Sequence, residues 1–117
     1  MNDDTLCLHA GYKPKNSEPG VCPIVQSTTY VFDSTEEVAA VFDDPTKALI
    51  YSRFGNPTVM AVEDKICALE GGIGAMCSTS GQAASLLSVL NLCQAGDSIF
   101  STTEFYGGTL NLFAFTR

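Results

Sequence analysis

Apolar positions along the chain fall into helical spacing in some stretches and dissolve in others. Residues 1 to 30 hold no helical period, and Gly11, Pro14, Pro19, Gly20 and Pro23 punctuate them, which predicts looped or extended chain. This stretch reads as an arm that lies on another surface, such as a second subunit. Ser34-Thr35-Glu36-Glu37 has the capping-box pattern, and Val38, Val41 and Phe42 continue it as a helix that Asp43-Asp44-Pro45 ends. Asn56-Pro57 opens a second helix, with Asn as the cap and Pro at the first helical position. Its apolar stripe is Val59, Val62, Ile66 and Leu69, and Gly71-Gly72 closes it.

Beyond Gly72 the pattern shortens. Ala75 to Thr79 and Asp97 to Ser101 each have strand length. Between them lies a predicted helix from Gln82 to about Gln94, apolar on most sides and so expected to be buried, with Gly96 as its stop. Tyr106-Gly107-Gly108-Thr109 predicts a turn, with a further apolar helix from near Leu110. Strand, helix, strand, helix predicts an α/β layer with right-handed parallel crossovers. Two strands cannot make a doubly wound sheet, so the chain is expected to be a piece of a larger domain. Residues 1–45 are assigned to the arm and first helix, and 46–117 to the start of an incomplete large domain.

Composition narrows the function classes. The chain has 117 residues, 45% of them hydrophobic and 16% charged, which is enough apolar material for a core. A net charge of −7 argues against a nucleic-acid partner. Met1-Asn2-Asp3-Asp4 is acidic, unlike a secretory signal, and the stretch Ala83 to Cys93 is too short and mixed to span a membrane. The five cysteines form no CxxC pair, and His9 is the single histidine, so no metal site is expected. Scattered cysteines in odd number predict reduced thiols and a cytoplasmic location.

Three places carry candidate chemistry. Ser80-Gly81-Gln82 stands where a strand is expected to turn into a helix, and a helix N-terminus favours an anion. On the residues alone the anion signal is weak, and an ordinary cap with Ser80 bonding its own helix is the favoured reading. Tyr51-Ser52-Arg53-Phe54-Gly55-Asn56-Pro57-Thr58 pairs a guanidinium, suited to bidentate phosphate contact, with a hydroxyl two residues away. A capping loop accounts for Asn56-Pro57 but not for Tyr51 and Arg53 together. Tyr106 reads either as a ring that stacks on a planar ligand or as a core tyrosine.

Taken together, these segments resemble the Cys/Met metabolism pyridoxal-phosphate-dependent family. The resemblance rests on Thr5 to Gly11, Pro23-Ile24 with Ser27 to Tyr30, Tyr51 to Thr58, Leu69-Glu70-Gly71-Gly72, Ser80 to Ala84 and Tyr106 to Thr109, in the family's order. It implies a fold-type I transferase with an aspartate-aminotransferase-like large domain, mainly parallel sheet flanked by helices. It implies pyridoxal 5'-phosphate as cofactor, a small amino-acid substrate, and a homo-oligomer built as a dimer of dimers. By resemblance, Tyr51 and Arg53 hold the cofactor phosphate of a neighbouring subunit. Ser80, Gly81 and Gln82 hold it from the subunit's own side. Tyr106 stacks on the pyridine ring and helps move a proton, which makes it the catalytic candidate.

The stretches 80–84 and 106–113 look most like the branch that replaces the acetoxy group of O-acetylhomoserine with sulfide or a thiol. Methionine γ-lyase and the cystathionine γ-synthases and lyases share the cofactor motifs. The family's Schiff-base lysine lies beyond position 117, and Lys13, Lys15, Lys47 and Lys65 match no such motif. The chain by itself is therefore expected to be inactive. A remnant that binds a full-length paralogue through its arm and the Tyr51/Arg53 loop is the non-enzyme alternative.

Overall fold

The computed structural model describes residues 2–115; Met1, Thr116 and the close of the chain at Arg117 lie outside them. Among the described residues there are five helices: α1 (Asp3–His9), α2 (Thr35–Asp43), α3 (Pro57–Glu70), α4 (Gly81–Leu92) and α5 (Gly107–Phe115). The chain divides into two compact units, residues 1–76 and 77–117. No helix among the described residues is long and apolar enough to cross a membrane.

The first unit is organised on α3. Asn56 caps it, its side-chain oxygen accepting from the N–H groups of Thr58 at 2.9 Å and Val59 at 3.4 Å. Pro57 fills the first position, and Gly71 ends the helix in the left-handed region at φ 63°. The helix predicted from Ser34 is α2: the Ser34 hydroxyl accepts from Glu37 N–H at 3.2 Å. The Glu37 carboxylate turns back to accept from Asp33 N–H at 3.3 Å, one residue before the cap itself. Val41 of α2 is buried, and with Phe42, Pro45, Ala48, Leu49, Ile50 and Phe54 it lines an apolar cavity of about 270 Å3.

The structure corrects the reading of residues 1 to 30 as an arm without a packed element. Residues 3–9 form α1, which packs against α3. Asn2 caps it by accepting from Thr5 N–H at 3.0 Å, and Asp3 and Asp4 sit in its first turn where the helix dipole favours acids. A helix of seven residues does not hold itself together in water. Here Lys65 of α3 donates to the Cys7 carbonyl at 2.9 Å, satisfying one of the free carbonyls at the end of α1. Gly11 then crosses α3 at φ 84°, where a Cβ would collide with the Ala61 carbonyl and lie 3.0 Å from Lys65 Cβ.

From residue 75 onward the structure departs from expectation in four ways. Residues 75–79 and 97–101 do not form strands, and the described residues hold no sheet. Extended chain becomes a strand only when a neighbouring strand pairs with it, and among the described residues no strand pairs with either stretch. α4 ends at Leu92, earlier than the sequence suggests, and Gly96 serves the turn that follows, at φ 102°. In that turn Asp97 N–H donates to the Gln94 carbonyl at 3.0 Å, and its carboxylate accepts from Gln94 N–H at 2.7 Å. The expected burial of α4 is also absent: no described element covers Leu90 or Leu92, which are 63% and 82% exposed. Finally, α5 begins at Gly107, inside the predicted turn, because the Tyr106 carbonyl accepts from Thr109 N–H at 2.9 Å and Leu110 N–H at 3.1 Å.

Candidate functional site

The site residues fall into two groups, one in each unit. In the first unit the segment 50–58 is tied to residues 23–30. Thr29 and Tyr51 form an antiparallel bridge, flanked by Tyr30 N–H on the Ile50 carbonyl at 3.2 Å and Ser52 N–H on the Thr28 carbonyl at 2.9 Å. The Ser52 hydroxyl donates to the Ser27 carbonyl. After the bridge the chain turns sharply, with Phe54 N–H and Gly55 N–H both donating to the Tyr51 carbonyl, at 2.9 and 3.2 Å.

That turn projects Arg53. Its guanidinium carbon lies 5.0 Å from the centroid of the Tyr51 ring and 5.6 Å from that of Phe54. Both distances are within cation–π range, so the two rings steady a long charged side chain that is otherwise exposed. Tyr51 and Arg53 are thus neighbours through a turn that lays the guanidinium over the ring. A guanidinium held this way keeps its fork of N–H donors free for an oxyanion.

Downstream, Asn56 and Thr58 fix the loop. Asn56 is 9% exposed; its side-chain nitrogen donates to the Val25 carbonyl at 3.0 Å and to the Ser52 hydroxyl at 3.1 Å. The Thr58 hydroxyl accepts from Val25 N–H and donates to the Pro23 carbonyl, both at 2.9 Å. The local sequence marks Asn56 as a cap and marks no role for Thr58. Their second use, clamping residues 23–25, involves partners more than thirty positions away, and no local pattern reports it.

In the second unit Ser80, Gly81, Gln82 and Tyr106 come together, with Ser85 and Thr109, around one pocket of about 400 Å3. The Ser80 hydroxyl caps α4 by accepting from Ala83 N–H at 3.1 Å, which leaves its proton free to donate. Gly81 and Gln82 occupy the first helical positions, whose N–H groups have no carbonyl one turn back within the helix. The pocket floor is therefore a set of donors at the positive end of a helix dipole.

Tyr106 stands beside this floor and is 78% exposed, so the core-tyrosine alternative does not describe it here. Its place is set by its neighbours in sequence: Phe105 packs edge-on against Phe113 of α5, ring centroids 5.9 Å apart at 77°. A donor-lined floor with an aromatic ring at its side fits a phosphate joined to a flat heterocycle. Pyridoxal phosphate has that form, and Ser80, Gly81 and Gln82 would hold its phosphate while Tyr106 met its ring.

Comparison with known proteins gives the same family. The model of the Cys/Met metabolism PLP-dependent enzymes matches residues 4–117. O-acetyl-L-homoserine sulfhydrylase 1 of Thermus thermophilus is 46% identical over 117 residues, covering 99% of this chain and 28% of that protein. Homocysteine/cysteine synthase of Kluyveromyces lactis is 46% identical over 118 residues, covering 97% of this chain and 27% of that protein. Among solved structures, an O-acetylhomoserine (thiol)-lyase of Campylobacter jejuni with a pyridoxyl-lysine phosphate at its position 205 superposes with a TM-score of 0.89. That likeness comes at 34% identity, over 99% of this chain and 29% of the other. The chain thus spans little more than a quarter of the length of the relatives it matches. With the family's motifs in order and its model matching from residue 4 onward, this chain belongs to the Cys/Met metabolism PLP-dependent enzyme family.

Proposed function

We propose that this chain is part of a PLP-dependent sulfhydrylase that makes homocysteine or methionine from O-acetylhomoserine and sulfide or a thiol by γ-replacement. The observation that carries the reading is the 46% identity to a sulfhydrylase across 99% of the chain. The gathering of Ser80, Gly81, Gln82 and Tyr106 around one pocket supports it. When bound, pyridoxal phosphate would supply the electron sink for the carbanion chemistry, and the protein supplies binding and orientation.

Each residue then has a task. Gly81 and Gln82 offer main-chain N–H groups, and Ser80 its hydroxyl, to the phosphate. Tyr51 and Arg53 offer a hydroxyl and a guanidinium to the phosphate of a neighbouring subunit in a homo-oligomer, and residues 1–45 accompany them as the segment that meets that subunit. Tyr106 stacks on the ring and its hydroxyl moves a proton at the substrate. The lysine that anchors the cofactor is supplied from outside these 117 residues. The mainly parallel sheet of a fold-type I large domain forms when the stretches at 75–79 and 97–101 gain neighbouring strands.

The full-length protein, given O-acetylhomoserine and sulfide, should release homocysteine and acetate, and should do so only when loaded with pyridoxal phosphate. Release of ammonia and an α-keto acid from methionine or cystathionine instead would assign it to the lyase branch. The isolated 117-residue chain should release nothing in either assay.

A further inference from the structure

We propose that Gly108 is a notch that seats the Gln82 side chain against the edge of the Tyr106 ring, so that Gly108 and Gln82 are positioning residues for that ring. The proposal rests on the stacking role given to Tyr106 above. A Cβ on Gly108 would collide with Gln82 Nε2, and would lie 2.7 Å from Tyr106 Cε1 and 3.2 Å from Cδ1. The Gln82 amide and the ring edge therefore crowd the same point, and any other residue at 108 pushes one or both aside.

Gly107 provides the comparison. A Cβ there would meet nothing within 4 Å. Neither glycine lies in the left-handed region, so backbone conformation does not ask for glycine at either place. Glycine in a helix gives up more chain entropy than alanine does, so helix formation does not ask for it either. What distinguishes Gly108 is the space its missing side chain leaves, and Gln82 and Tyr106 occupy that space. The Gln82 carboxamide oxygen is buried and accepts no hydrogen bond from the described residues. Contact, not hydrogen bonding to that oxygen, keeps the side chain in place.

The test uses the full-length holoenzyme, with the visible circular dichroism of bound pyridoxal phosphate reporting the stacked ring and the far-ultraviolet spectrum reporting folding. Gly108→Ala should lose most of the visible band and keep the far-ultraviolet spectrum, whereas Gly107→Ala should keep both. Adding Gln82→Ala to Gly108→Ala should restore part of the band, because the extra methyl then has room and the two changes couple. Should Gly108→Ala not fold, Gln82 decides alone: Gln82→Ala lowers the band, and Gln82→Met, of similar length, recovers it. An unchanged band in Gln82→Ala, or purely additive effects of the two changes, would overturn the proposal. Tyr106→Ala separates the two levels. If it leaves the band intact, the stacking role fails and the positioning role falls with it; if it lowers the band while Gln82→Ala does not, only the positioning role fails.

Discussion

Asn56 is joined to Val25 by a 3.0 Å hydrogen bond from its side-chain nitrogen, while its side-chain oxygen caps α3. One buried side chain thus fixes both the start of a helix and the segment that backs the Arg53 loop. Losing a cap costs about 0.5–2 kcal/mol and losing a hydrogen bond about 0.5–1.5 kcal/mol. Asn56→Ala should therefore destabilise the full-length protein by about 1–3 kcal/mol in denaturant titration. Asn56→Ser keeps the cap and loses the link to Val25, so it should fall between the two. Equal loss in both variants would mean that the cap contributes nothing, and no loss in Asn56→Ser would mean that the Val25 bond contributes nothing.

Gly11 makes a comparable demand on the backbone. Its φ of 84° and its closeness to the Ala61 carbonyl leave no room for a side chain. Gly11→Ala should lower stability by about 1–3 kcal/mol from backbone strain, with the added collision loosening α1 from α3. Amide exchange that quickens across residues 3–9 by more than elsewhere in the protein would be its signature. Exchange matching the parent would contradict the close packing.

Asp44 gives a pH dependence of known sign. Thr46 Oγ1 and Thr46 N–H donate to the same Asp44 carboxylate oxygen at 2.6 and 3.1 Å. The side-chain bond first, and then the backbone one, hold the carboxyl below its ordinary value of 3.8. A carboxyl lowered in the folded state stabilises it above the ordinary value, and that contribution is lost as pH falls through the lowered one. Thr46→Val should raise the Asp44 pKa, read by carboxyl NMR titration, and make the part of the acid loss of stability that Asp44 contributes smaller. An unmoved titration would remove the Thr46 hydroxyl as the cause.

Tyr106 is exposed and contributes little to packing among the described residues. Tyr106→Ala should lower turnover far more than it lowers the melting temperature. Tyr106→Phe keeps the ring and removes the hydroxyl, so it should retain cofactor binding and lose the proton-transfer share of the rate. Kinetics unaltered in both would leave Tyr106 without a role in the reaction.

Much of this was legible in the sequence where the cause is local. Ser34, Asn56, Pro57 and Gly71 mark helix ends because each satisfies the backbone within a few residues of itself, and α2 and α3 lie where those marks place them. Helix α1 was missed because seven residues are too few to show an apolar period, although Asn2 followed by Asp3 and Asp4 is a cap with acids behind it. The strands at 75–79 and 97–101 were expected on length and hydrophobicity alone, yet a strand exists only through its neighbours. The nearness of Tyr51 to Arg53 follows from closeness in sequence, but the turn that lays the guanidinium over the ring was not legible in the two-residue spacing. The crowding of Gly108, Gln82 and Tyr106 was not legible either, because it depends on how α5 meets α4.

The central claim is that residues of this chain hold the phosphate of pyridoxal phosphate, and the retention of that cofactor by the full-length protein tests it most directly. A charge-assisted hydrogen bond contributes about 1.5–3 kcal/mol, so Arg53→Ala should weaken the cofactor dissociation constant by about tenfold or more. Arg53→Lys, which keeps the charge and loses the fork, should fall between. A dissociation constant in Arg53→Ala equal to that of the parent would contradict the account.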